Sequence, residues 1–164
     1  MRYRSLFLLS LLAAGCEGDI TADAEGEKAR GAEYLAETAA KEPGAITLPS
    51  GLVYRTITRG TGVSPAATDK VTVHYTGKFI DGTTFDSSVN RGPATFPLTG
   101  VIACWTEGLQ KMYVGETASL GCPSNLAYGD KGRPGPIPPG ATLMFEVELL
   151  EVHVSAMTTP RPIE

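Results

Sequence analysis

The chain has 164 residues, a size that one domain can occupy, with 14 basic and 18 acidic side chains and a formal charge of −4. No basic stripe interleaved with aromatics occurs, so the electrostatic footprint of nucleic-acid binding is missing and nucleic acid is excluded as a partner. With only His74 and His153 there is no metal-ligand spacing, and neither a Gly-x-Ser-x-Gly elbow nor a phosphate-cradling loop is present, so no metal or cofactor is called for.

The N-terminus carries Arg2 and Arg4, then an apolar run from Leu6 to Ala14 broken only by Ser10, then Gly15 and Cys16. This reads as a signal peptide over residues 1–15, too short for a permanent membrane span. Residues 12–16 (LAAGC) resemble a bacterial lipobox, with Ala13 where Leu is commoner, so Cys16 is a lipidation candidate. The alternative is a plain signal with an incidental Cys near its cleavage site. Acyl chains would tether the protein to a membrane without spanning it. Glu17 after the Cys, in place of the Asp of inner-membrane retention, favours the outer membrane. Loss of Arg2 and Arg4 leaves a mature chain of charge −6.

Residues 16–49 read as a solvated tether, with helix formers over 32–41 and a stop at Pro43-Gly44. Apolar positions there are sparse for an amphipathic face, although Tyr34 and Leu35 could dock. Few apolar residues in a tether this short argue for a monomer.

From Gly51 the texture changes to short β-type runs. Val71, Val73 and Tyr75 alternate with Thr72, His74 and Thr76, the period-2 signature of a half-buried strand. Asp81-Gly82 is a tight-turn signal that leads into Thr83-Thr84-Phe85, which predicts a hairpin. Over residues 103–112, Trp105, Leu109 and Met112 fall at i, i+4 and i+7, which predicts a helix able to lie across a sheet. Residues 116–122 read as another strand. Four Gly and four Pro between residues 129 and 140 predict a turn-rich surface loop. Leu143, Phe145, Val147 and Leu149 alternate with Met144, Glu146 and Glu148, a strand with one core face. The sum is α+β, an antiparallel sheet on one short helix. The Pro-bearing residues 155–164 read as a disordered tail. Setting Cys16 aside leaves an even pair, Cys104 and Cys122, in an oxidising compartment; they are either bridged or two buried free thiols.

Aromatic and apolar groups concentrate around the loops. Residues 71–77 (VTVHYTG), 82–88 (GTTFDSS), 101–109 (VIACWTEGL), 126–129 (LAYG) and 138–149 (PPGATLMFEVEL) resemble, in order and spacing, the FKBP-type peptidyl-prolyl cis-trans isomerases. The tether followed by residues 50–54 (SGLVY) is similar to the exported, macrophage-infectivity-potentiator-like branch. The resemblance implies an isomerase domain over residues 50–154, an antiparallel β half-barrel wrapped around one short α-helix. It makes Trp105 the pocket floor, with Tyr75, Phe85, Phe96, Val101, Ile102, Ile137 and Phe145 as walls, and Asp86, Arg91 and Tyr128 as polar positions. Ala94, Arg133 and Pro136 depart from the best-known members, where an aromatic, a His and an Ile are common, which puts the rim and macrolide affinity in question. Cys104 replaces the usual Gly before the Trp, and Cys122 on the neighbouring strand matches it, which points to a disulfide.

The resemblance further implies proline-containing polypeptide clients, macrolide inhibitors of the FKBP class as ligands, and a location in the bacterial periplasm. It implies that Tyr128 donates to a substrate carbonyl, that the Ile102 N–H holds a second one, and that Asp86, organised by Tyr75 and Arg91, sits at the reacting end. For Asp86 alone an Asx turn with Ser87 and Ser88 is an equal reading. The rivals are an envelope chaperone or binding module with an incidental isomerase pocket, and a structural lipoprotein that borrows the fold.

Overall fold

A computed structural model describes residues 20–155. The signal segment, Cys16 and all of the expected tail except Ser155 lie outside the described residues. No helix among the described residues is long and apolar enough to cross a membrane.

Two helices and seven strands follow in the order α1 (Ile20–Lys41), β1 (Ile46–Thr47), β2 (Val53–Thr58), β3 (Lys70–Phe79), β4 (Thr84–Ser87), β5 (Ala94–Pro97), α2 (Ala103–Leu109), β6 (Thr117–Cys122) and β7 (Leu143–His153). All strand pairs are antiparallel, in the order β1-β2-β6-β7-β3-β4, with β5 paired to the first half of β3. The expected half-barrel is therefore present. Its centre is the long β3–β7 ladder, running from Lys70 opposite His153 to Phe79 opposite Leu143.

The alternation read from the sequence sets the inner face. Val71, Val73 and Tyr75 from β3, and Leu143, Phe145, Val147 and Leu149 from β7, are buried, and α2 lies against them through Trp105 and Leu109. At ~25 cal/mol per Å² of apolar surface, each such side chain contributes about 1.5–3 kcal/mol, and this layer dominates the stability. The β3–β4 hairpin closes through the Phe79 N–H donating to Thr83 and the Gly82 N–H to Phe79, with Gly82 at φ 88°.

Two elements differ from expectation. The helix predicted over 103–112 ends at Leu109. The Lys111 and Met112 N–H groups bond three residues back, to Gly108 and Leu109, so the chain tightens into a turn while Met112 stays buried. The N-terminal helix, predicted over 32–41, runs from Ile20 to Lys41 and is docked on the barrel instead of solvated. Its buried or half-buried positions Ala24, Glu27, Lys28, Gly31, Leu35, Thr38 and Ala39 recur at helical spacing and form one stripe. Where a Cβ on Gly31 would stand, the Thr142 Oγ1 lies only 2.0 Å away, and the equivalent point on Gly140 is 2.4 Å from the Ala24 carbonyl oxygen. Absent side chains thus allow the helix backbone to sit on the segment before β7. Ion pairs Lys28–Asp130 and Arg55–Glu42 flank this contact.

Two buried carboxylates pin the periphery. Glu116 accepts from the Tyr54 hydroxyl, the Thr56 hydroxyl and the Tyr113 N–H, joining β2 to the turn before β6. Asp69 accepts from the Ala66 and Ser155 N–H groups, so the first residue of the expected tail is tied to the fold. Each satisfied acceptor avoids the 1–3 kcal/mol cost, in order of magnitude, of a buried polar group left unpaired.

Candidate functional site

One cavity of about 570 Å³ opens at the concave side of the sheet, between α2, β4 and the loop after β6. Its floor is Trp105, 5% exposed, on the first turn of α2. The helix starts there because Ile102, in an extended conformation at its N-cap, accepts the N–H groups of Trp105 and Thr106 through its carbonyl. The Thr106 hydroxyl also reaches back to the Leu98 carbonyl and fixes the preceding turn. The Ile102 N–H has no main-chain acceptor among the described residues, and Ile102 lines the cavity. It is a donor available to a ligand.

A disulfide joins Cys104, next to the floor, to Cys122 at the end of β6, with their Cα atoms 5.7 Å apart. Of the two alternatives left open by cysteine arithmetic, the bridged one is present. It ties the first turn of α2 to the strand that leads, through Pro123 and the 3₁₀ turn at Ser124–Leu126, to Tyr128.

Three rings stand edge-on to the indole: Tyr75 at 5.3 Å, Phe145 at 5.4 Å and Phe96 at 5.6 Å between centroids, with interplanar angles of 80–84°. Such T-shaped contacts add about 0.5–1.5 kcal/mol each beyond area burial and fix the ring orientations. Phe85 meets Phe145 in the same manner. Both rings crowd the Cα of Gly77, where a Cβ would lie 2.6 Å from Phe85 and 2.9 Å from Phe145, so only glycine at this point of β3 leaves room for the wall. The indole Nε1 is the one buried side-chain polar atom without a partner among the described residues. The floor is otherwise made of aromatic rings.

Polar groups gather at one end. The Tyr75 hydroxyl donates to Asp86 Oδ2 at 2.6 Å, and the Arg91 guanidinium pairs with Oδ1 while its Nε donates to the Ser87 carbonyl. Burial pushes the Asp86 carboxyl up, but the Tyr75 hydroxyl, the Arg91 charge and the Ser87 N–H together outweigh it and hold the group below its ordinary value. Asp86 is therefore a fixed anion at neutral pH. Burial, reinforced by the adjacent carboxylate, pushes the Tyr75 phenol up to about 12, so it stays a donor. Ser88 takes no part in capping Asp86; its hydroxyl accepts the Tyr75 N–H and meets His74 Nδ1.

Tyr75, Phe85, Asp86, Phe96, Val101, Ile102, Trp105, Tyr128, Ile137 and Phe145 all line this cavity. Arg91 does not line it and pairs with Asp86. Gly100 was missed, since a glycine in a turn gives no sequence signal of lining. Of the departures, Arg133 and Pro136 form part of the wall, whereas Ala94 packs against the core.

The sequence matches the FKBP-type peptidyl-prolyl cis-trans isomerase family over residues 62–150. It is 56% identical over 125 residues to the FKBP-type 22 kDa peptidyl-prolyl cis-trans isomerase of Escherichia coli K12, covering 76% of this chain and 60% of the relative. It is 45% identical over 146 residues to the outer membrane protein MIP of Legionella longbeachae, covering 88% and 62%. The crystal structure of FkpA from Escherichia coli superposes with a TM-score of 0.78 at 45% identity, covering 82% of this chain and 62% of that one. The chain thus spans about three fifths of the length of these relatives.

Proposed function

The chain belongs to the FKBP-type peptidyl-prolyl cis-trans isomerase family, and from that premise we propose that it accelerates X-Pro isomerisation in polypeptide clients at the cavity over Trp105. The observation that carries the reading is the pairing of an aromatic floor with a fixed polar cluster at one end.

Rotation about an X-Pro bond has an intrinsic barrier of about 18–20 kcal/mol, and no nucleophile is needed to lower it. The planar amide is charge-separated by resonance and the twisted one is not. Moving the bond from water onto Trp105, among Phe85, Phe96 and Phe145, therefore disfavours the ground state more than the transition state. Tyr128 donates its hydroxyl to the carbonyl before the proline, and the Ile102 N–H holds the carbonyl after it. Asp86, held ionised by Tyr75 and Arg91, faces the reacting end and orients the twisted amide. The domain is taken as residues 50–154, with residues 1–15 as a signal peptide, Cys16 as the lipidated residue, the envelope as the location and a monomer as the working state.

A proline-limited refolding assay tests this. Wild type should accelerate the slow phase. Tyr128→Phe should weaken kcat/KM about 2- to 10-fold, the worth of one hydrogen bond of ~0.5–1.5 kcal/mol. Asp86→Ala should weaken it at least as much. Absence of acceleration by wild type across varied X-Pro substrates would reduce the protein to a binding module.

A further inference from the structure

We infer that Arg133 makes the pocket selective for substrates carrying a carboxylate on the residue that precedes proline, Glu-Pro and Asp-Pro over Lys-Pro. The inference deepens the isomerase reading and rests on it for the direction in which the peptide lies.

The backbone of Arg133 is fixed independently of its side chain. Its N–H donates to the Ile137 carbonyl at 2.8 Å and its carbonyl accepts the Ile137 N–H at 3.1 Å, so the residue is clasped to a buried pocket wall. Pro134 and Pro136 stiffen the short loop between them. The fold therefore uses the main chain of this residue and makes no demand on its guanidinium. Among the described residues the ion pairs are Lys28 with Glu25 and Asp130, Arg30–Glu27, Lys41–Glu37, Arg55–Glu42, Arg91–Asp86 and His153–Glu151; none involves Arg133.

The charges around the cavity are consequently unequal. Asp86 is matched by Arg91, so the anionic end is neutralised locally. Arg133 lines the opening without a counter-charge, in a chain whose net charge is −4. A cavity of about 570 Å³ is far larger than a prolyl ring, so the residue before proline must also lie inside its mouth. If Tyr128 holds the carbonyl of that residue, its side chain lies in the cavity that Tyr128 and Arg133 both line. A guanidinium there offers a planar fork of donors that a carboxylate can accept in pairs, and it repels an ammonium.

The test measures isomerisation of tetrapeptides differing only before proline, with Glu, Leu or Lys, on wild type, Arg133→Gln, Arg133→Glu and Lys131→Gln. In parallel, binding of the same peptides is followed by the fluorescence of Trp105, the only Trp of the chain, so that the signal reports the pocket floor. Wild type should favour Glu-Pro over Lys-Pro. Arg133→Gln should lower that ratio about two- to five-fold, as expected for a solvent-exposed pair, and Arg133→Glu should invert it. High salt should flatten it, since the Debye length falls to about 3 Å at 1 M. Lys131→Gln changes the net charge equally at an exposed residue that does not line the cavity and should leave the ratio within about 1.5-fold, given the small worth of exposed charges outside the site. An unchanged ratio in both Arg133 variants, or an equal shift in Lys131→Gln, overturns the inference. Charge-selective binding without turnover sinks the isomerase reading and leaves the selectivity standing.

Discussion

Gly31 sits in the middle of α1, and replacing it with Ala has opposite consequences for a solvated and for a docked helix. In a solvated helix Gly→Ala stabilises by roughly 0.5–1 kcal/mol, because Gly loses more backbone freedom on ordering. In the docked helix the new methyl would lie 2.0 Å from Thr142 Oγ1 and 2.7 Å from Thr142 Cβ. A rotamer change can remove the first clash and not the second, and Thr142 is 2% exposed with a stiff β-branched side chain. The helix must then retreat, loosening Leu35 and Ala24, at an overpacking cost of about 1–3 kcal/mol. Net of the helix-propensity gain, Gly31→Ala should destabilise by up to about 2 kcal/mol. Gly26 has nothing within 4 Å of its added Cβ and is the control, so Gly26→Ala should stabilise. Urea unfolding followed by circular dichroism measures both. Hydrogen exchange of the α1 amides reports local undocking that a global transition would miss. Equal stabilisation by the two substitutions, with unchanged exchange in α1, would refute the docked arrangement.

Trp105→Ala should cost about 3–5 kcal/mol of stability, because it empties the floor on which three rings stand, and thermal unfolding reads it directly. Removing the disulfide as the Cys104→Ala, Cys122→Ala pair opens a loop of 18 residues and should lower stability by about 3 kcal/mol. Denaturant titration checks this, and a double variant as stable as wild type would contradict it. The folded-state pKa of Asp86 is depressed below 3.8, so its contribution to stability is present above that value and is lost as pH falls through the lower, folded value. Asp86→Asn should therefore remove part of the acid destabilisation below pH 3.8, a change visible in unfolding midpoints measured against pH.

Much of the barrel was legible in the chain. Period-2 alternation over residues 70–76 and 143–149 sorted core from solvent because a strand's side chains can point in only two directions, and the Asp81-Gly82 turn located the hairpin. The five ordered motifs carried the family resemblance, and Phe96 and Ile137 line the cavity from outside them. Helix α1 was not legible in the same way. Its buried or half-buried stripe of Ala24, Glu27, Lys28, Gly31, Leu35, Thr38 and Ala39 contains a single large apolar residue. A hydrophobicity pattern detects burial of bulk, whereas this contact is made by the lack of it.

By itself the sequence determined the alternating strands β3 and β7, the hairpin turn between β3 and β4 and the helix of the floor, since local periodicity and turn chemistry act within a few residues of chain. The pocket residues came through the family resemblance. Tertiary structure alone decided where the long helix rests, that Arg133 lines the cavity without a counter-charge, and that Cys104 meets Cys122. Each of these depends on distances between segments far apart in the chain, which only the closed sheet brings together.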